Sequence, residues 1–185
     1  AAEELIAAAI AGGGDVRAAL GQAAELFRAV PVDKRRPKPR VAILGDIYLK
    51  YNESVNQNVD RLIMEGGAEV RIPGFTETAM HFMDSDVRLY GADPRSMALM
   101  RSMERRFEKI VEDLIPGQEE PDFAECHDAM RDYGIRHYLP GETSVNAGRA
   151  LHLLKHQGAD AIVHVNPMFC CPGVVSSSIF RKVQE

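Results

Sequence analysis

Apolar and polar positions along this chain follow two periods. From Arg40 to Gly45 the run Arg-Val-Ala-Ile-Leu-Gly is apolar between its ends, and Ala161 to Val165 is a second short, β-branched run bounded by Asp160 and by Asn166-Pro167. Runs of this kind predict strands covered on both faces. Ala68 to Ile72 predicts a third strand, stopped by Pro73-Gly74. Elsewhere the spacing changes to three and four, the helical period. Ala1 to Ile10 reads as an alanine-rich helix closed by Gly12-Gly13-Gly14. Asp15 then caps a helix to about Val30, with Val16, Leu20, Ala23, Ala24 and Phe27 on one stripe. A helix from near Glu53-Ser54 carries Val55, Val59, Leu62 and Ile63 to the stop at Gly66-Gly67. Thr76 to Asp86 reads as a short helix or irregular turn. Pro94 to Ile115 is the longest predicted helix, with Met100, Met103, Phe107, Ile110 and Leu114 as a packing seam. Asp122 to Tyr133 is a further helix, Ile135 to Leu139 a short edge strand, and Thr143 or Ser144 caps a helix that runs through Ala150, Leu151 and Leu154 to Gly158. Pro172 suits the first position of the last helix, which puts Cys171 near its cap.

Strand, helix, strand in this order is a βαβ unit, which forces a parallel sheet with a right-handed crossover. The expected fold class is α/β: a Rossmann-like three-layer domain with a small parallel sheet, preceded by N-terminal helices. The division expected is residues 1–36 as a helical segment and linker, and residues 37–185 as the α/β domain. The chain starts without methionine and stops on a helix, which reads as a piece of a longer protein.

Composition narrows the functional classes. The 185 residues are 45% hydrophobic and 26% charged, with a net charge of -5. An acidic balance argues against a general nucleic-acid binder. The one concentrated basic run, Lys34 to Arg40, is broken by prolines and reads as a solvated linker. No apolar run approaches the ~18 residues of a membrane span, and no signal-peptide layout is present, so the expectation is a soluble, cytoplasmic protein with neither membrane nor nucleic-acid partners. Three cysteines, two of them adjacent, do not form a disulfide framework. Metal binding, redox chemistry and plain burial remain for them.

Ligands of open α/β sheets collect beyond the carboxyl ends of the strands. The residues that belong there are Asp46, Tyr48, Tyr51, Asn52 and Glu53 after the first strand, Phe75 after the second, Glu142, Thr143 and Ser144, and Asn166 to Cys171. Cys170 and Cys171 fall beside the positive end of a helix dipole, which favours a thiolate. Other motifs give less. Gly45-Asp46-Ile47-Tyr48 is not a dinucleotide fingerprint, Gly12 to Gly14 has no strand before it and reads as a hinge, and no serine-hydrolase elbow is present. His152 and His156 lack a third ligand, Cys126 and His127 point about 100° apart on a helix, and His164 reads as a satisfied strand histidine.

Gly45-Asp46-Ile47-Tyr48 with Asn56 and Gly66 to Val70, Gly141-Glu142-Thr143, and Asp160 through Cys170-Cys-Pro-Gly with Ser178-Ile179 together resemble the C-terminal domain of the acyl-CoA dehydratase activase-related proteins, kin of 2-hydroxyacyl-CoA dehydratase subunits. The likeness runs from about Gly14 to Glu185. It implies a Rossmann-like domain and an iron-sulfur cluster, of the 4Fe-4S or double-cubane type, held by cysteines from different segments. It makes Cys170 one metal ligand and assigns Asp46, Tyr48, Glu142, Thr143 and Asn166 to the cofactor-binding rim. The implied partners are an N-terminal cluster-binding domain of the same protein, an ATP-dependent activase or homologous subunit, and a CoA thioester; the reaction is low-potential electron transfer or radical dehydration. Cys171 stands where the family has methionine, Gly173 replaces an acidic residue, and Cys126 matches no motif cysteine. The alternative expectation is a non-catalytic module that docks a partner subunit, and a third, with no Cys-x-x-Cys or base to support it, is a redox or nucleophilic thiol.

Overall fold

A computed structural model of the protein describes residues 1–33, 35–116, 120–136, 138–139 and 141–184. Its elements in chain order are α1 (Ala2–Ala11), α2 (Val16–Arg28), β1 (Arg40–Gly45), a 3-10 turn (Leu49–Tyr51), α3 (Glu53–Asn56), α4 (Val59–Glu65), β2 (Glu69–Arg71), α5 (Phe75–Tyr90), α6 (Arg95–Val111), α7 (Phe123–Arg131), α8 (Thr143–His156), β3 (Ala161–Val165) and α9 (Cys171–Val183). They form two compact units, residues 1–37 with 93–119 and residues 38–92 with 120–185. The basic linker therefore marks a real break, while the segment carrying α6 joins the first unit, a long-range association that local periodicity does not encode.

The first unit is helical. Asp15 Oδ1 accepts from the backbone N–H groups of Arg17 at 2.9 Å and Ala18 at 3.0 Å, satisfying donors that the start of α2 leaves open. Ala19, Ala23 and Ala24 are its buried face. Arg28, at the end of α2, donates to Asp113 at 2.6 Å and to the Ile110 carbonyl at 2.8 Å, closing α2 onto the end of α6. The α6 seam is only half covered: none of its residues is fully buried, and Met103 stays exposed.

The second unit is the α/β fold. Its three strands run parallel in the order β2-β1-β3, with Ala42 opposite Arg71 on one side and Ile162 on the other. Side chains alternate across a strand, so Ala42 and Leu44 face one way and Ile43 the other. The first pair packs with Ala150 and Leu153 of α8 and with Ile162 and Phe180. Ile43 is also fully buried, so β1 is covered on both faces. α7 packs on α8 through Ala129, Met130, Ala147 and Leu151. Gly148 makes that approach possible, since a Cβ there would meet the Cys126 Cβ at 3.0 Å.

Several local expectations change. Thr76 to Asp86, read as a short helix or turn, is the interior of the 16-residue α5. The helix expected between Glu53 and Gly66 is broken into α3 and α4 by Gln57 and Asn58, both left-handed. The expected edge strand at Ile135 to Leu139 is absent among its described residues, His137 lying outside them. The reason is local: the Ser144 hydroxyl takes both the N–H and the carbonyl of Leu139, the groups a strand would share, while Ile135 and Leu139 pack on the α7–α8 core. The same bonds explain why neither Thr143 nor Ser144 is the cap of α8. The Thr143 hydroxyl donates to the Pro172 carbonyl, and the cap position falls to Glu142. Cys170, in extended conformation, caps α9, and Cys171 is already its first residue.

Candidate functional site

Where β1 ends, the backbone makes an approach that only glycine permits. Gly45 has φ 131°, and a Cβ there would sit 1.9 Å from the Val165 carbonyl oxygen. That carbonyl accepts the Asp46 N–H at 2.9 Å, which clamps the exit of β1 to the exit of β3. Asp46 Oδ1 then accepts from the N–H groups of Tyr48 and Leu49, each at 2.9 Å, and so starts the 3-10 turn. Glu142 reaches across from α8 to accept the Ile47 N–H at 3.2 Å, and Asn146 accepts that of Gly45 at 3.1 Å. Burial pushes the Glu142 carboxyl up, opposed by that backbone bond.

The loop after β3 is locked in a comparable way. The Asn166 amide donates to the His164 ring at 2.9 Å, and a Cβ on Gly173 would come within 2.8 Å of the Asn166 side chain. His164 also contacts the Ser177 hydroxyl at 3.2 Å and packs edge-on against Phe180, and burial lowers its pKa to about 4. It is a neutral, bonded strand residue. The Pro172 carbonyl receives both the Thr143 and Ser176 hydroxyls. At the tip, Phe169 takes a left-handed backbone, φ 63°, and is 91% exposed; Met168 is 84% exposed. Cys170 follows, partly exposed, with Cys171 exposed beside it.

Asp46, Glu142, Thr143, Asn166 and Cys170 thus surround one rim, at the carboxyl ends of β1 and β3 where the strand order reverses direction, the usual place for a ligand crevice. They do not all point outward. Thr143 is buried and its hydroxyl is used internally, Asp46 shapes backbone, the Asn166 amide is taken up by the His164 ring, and Tyr48 stands apart, lining an open groove of about 580 Å³ with Tyr51, Asn52, Glu53 and Phe75. Among the described residues no three His, Cys, Asp or Glu side chains are grouped to hold a metal ion. The His152 and His156 rings lie 5.1 Å apart, tilted by 44°, and Cys126 is buried, its thiol pushed up to about 12. As a donor set the rim offers a cluster one accessible cysteine at the cap of α9 and a second at its first residue.

A buried charge cluster behind this rim escaped the reading of the sequence. Arg149 is 0% exposed and pairs through Nε with Glu77 Oε1 at 3.0 Å and through Nη2 with Glu120 Oε2 at 2.9 Å. Lys50 is 3% exposed, and burial lowers its pKa against the opposing pull of Glu77, Glu142 and Glu120. Burial and the neighbouring Glu120 raise the Glu77 carboxyl to about 7, against Arg149 and Lys50. One signal was present: Arg149 is a lone cation within the apolar stretch Val145 to Leu153. Nothing comparable marked Glu77, Glu120 or Lys50. No family model, curated protein or solved structure matches this chain. Among the described residues no helix is long and apolar enough to cross a membrane.

Proposed function

We propose that this chain is the α/β domain of a cytoplasmic iron-sulfur protein of the 2-hydroxyacyl-CoA dehydratase or activase-related type, in which Cys170 gives one thiolate to a cluster. The observation that carries the reading is the setting of Cys170. It caps a 13-residue helix at the sheet's carboxyl rim, on a loop braced by Asn166, Gly173 and the Thr143–Pro172 bond. The amino end of α9 is electropositive, which suits an anionic metal–thiolate centre. The remaining ligands come from a cluster-binding domain of the same protein, and electrons from an ATP-dependent activase. When bound, the cluster supplies low-potential electron transfer for radical dehydration of an acyl-CoA thioester or for onward reduction. This chain's residues hold the ligand loop in register and shape one wall of the interdomain site.

The test is anaerobic reconstitution of the polypeptide that joins this domain to its cluster-binding partner, with iron and sulfide counted. Cys170→Ser is expected to lose most of the iron while Cys171→Ser retains it. Iron unchanged by Cys170→Ser contradicts the assignment. It would favour the second reading, a module that docks a partner subunit, for which the exposed apolar tip Met168-Phe169 with Val174 is the supporting observation.

A further inference from the structure

The groove lined by Tyr48, Tyr51 and Phe75 lies past the ends of β1 and β2, and its walls are fixed from behind. The Tyr51 hydroxyl donates to the Pro73 carbonyl, its ring lies 5.9 Å from that of Phe75 at 53°, and Lys50 Nζ sits 5.1 Å from its centroid. Phe75 opens α5 directly after Gly74, whose N–H donates to Glu120 Oε1 at 3.1 Å; the other oxygen of Glu120 pairs with buried Arg149. Taking charges out of water is costly, so a buried ion cluster is weak as a stabiliser and well suited to fixing geometry. Here it anchors one wall of an aromatic groove. Tyr48 and Phe75 are nevertheless 63% exposed each, and the Phe75 ring is held against Tyr51.

We propose that this groove binds a planar, uncharged heteroaromatic ring with an amino edge, of the adenine kind, packed against the exposed rings of Tyr48 and Phe75. The groove, about 580 Å³ and open to solvent, has room for such a ring. Glu53 on the lip can only accept hydrogen bonds when ionised, so it selects a ring that donates through an exocyclic amine. Asn52 uses its carbonyl oxygen on the Val55 N–H at 3.3 Å, which leaves its NH2 to donate to a ring nitrogen. A cationic guest, the other usual occupant of aromatic walls, is disfavoured because the Lys50 ammonium already lies at the Tyr51 ring. Lys50, Glu120 and Arg149 are positioning residues in this scheme.

The experiment is a titration of the purified protein, in chelator, with adenosine, with purine riboside, which lacks the exocyclic amine, and with tetramethylammonium, followed by ligand-observed NMR. Saturable adenosine binding is expected, weaker by at least about fivefold in Tyr48→Ala and in Phe75→Ala, the low end of what one stacking ring contributes. Glu53→Ala is expected to erase the preference for adenosine over purine riboside. All three substituted side chains are exposed, and far-UV circular dichroism confirms that each variant folds. No saturable binding at millimolar adenosine, binding indifferent to both ring truncations, or displacement by tetramethylammonium overturns the proposal. The titration uses no iron, so its outcome is separate from that of the cluster count.

Discussion

Arg149→Met is expected to lower the free energy of unfolding by about 3–5 kcal/mol, the range for removing one side of a buried ion pair. The substituted chain keeps its volume at a site with no solvent exposure but leaves Glu77 and Glu120 facing each other without a cation between them. The loss has a pH signature. Burial and Glu120 already raise Glu77 to about 7, against 4.5 for a free glutamate. In the wild type, the proton Glu77 holds favours the folded state fully below 4.5, and that contribution is lost as pH rises through 7. Without Arg149 the folded Glu77 carboxyl takes up its proton still more readily, so the penalty is smaller at pH 5 than at pH 8. Urea unfolding at the two pH values measures both effects. The triple variant Arg149→Met, Glu77→Gln, Glu120→Gln should recover part of the stability, because it removes the two carboxylates that lose Arg149, while Lys50 stays buried with only Glu142 left as a counter-charge. A loss below about 1 kcal/mol at pH 8, the ceiling for an exposed pair, would show that the cluster is solvated.

Gly45→Ala is the second large effect. At φ 131° a β-carbon is strained whatever the space, and here it would lie 1.9 Å from the oxygen that bonds the Asp46 N–H. No side-chain rotation relieves a clash with backbone, so β1 and β3 must part where the rim is built. A loss above about 4 kcal/mol is expected, among the largest single-site effects, read as a collapse of cooperative thermal unfolding. Gly21→Ala in the middle of α2 is the control. Its Cβ meets nothing within 4 Å, and it should gain roughly 0.5–1 kcal/mol from helix propensity. A Gly45→Ala protein as stable as the wild type would mean that the two strand exits are not clamped together.

What the sequence disclosed follows from how each element is buried. β1 and β3 were legible because a covered strand is a continuous apolar run. α5 was not. Its buried face is Glu77, Thr78, Met80, His81 and Asp84, so a hydrophobic period sees almost no stripe. α8 is buried at every residue from Thr143 to Leu153, which also erases amphipathic contrast; the apolar flanks of Arg149 hint that it is interior, and for Asn146 only the fold tells. The break between α3 and α4 has neither glycine nor proline to announce it, only Gln57 and Asn58 in left-handed conformation.

The site divided in the same way. Asp46, Glu142, Thr143, Asn166 and Cys170 share one rim because a parallel sheet sends its strand exits to one edge, whereas Tyr48 stands apart from it. Their individual tasks were not legible, since whether Thr143 faces a ligand or the Pro172 carbonyl depends on a loop 29 positions away in sequence. Cooperation between Lys50, Glu77, Glu120 and Arg149 joins four separate segments and leaves no local motif.

Cys170 is partly exposed at the rim while Cys126 is sealed in the α7–α8 contact. Alkylation of the native chain with iodoacetamide, mapped by peptide mass spectrometry, tests it most directly. Cys170 and Cys171 are expected to be modified under native conditions and Cys126 only after unfolding. Cys170 protected to the same degree as Cys126 would contradict the account.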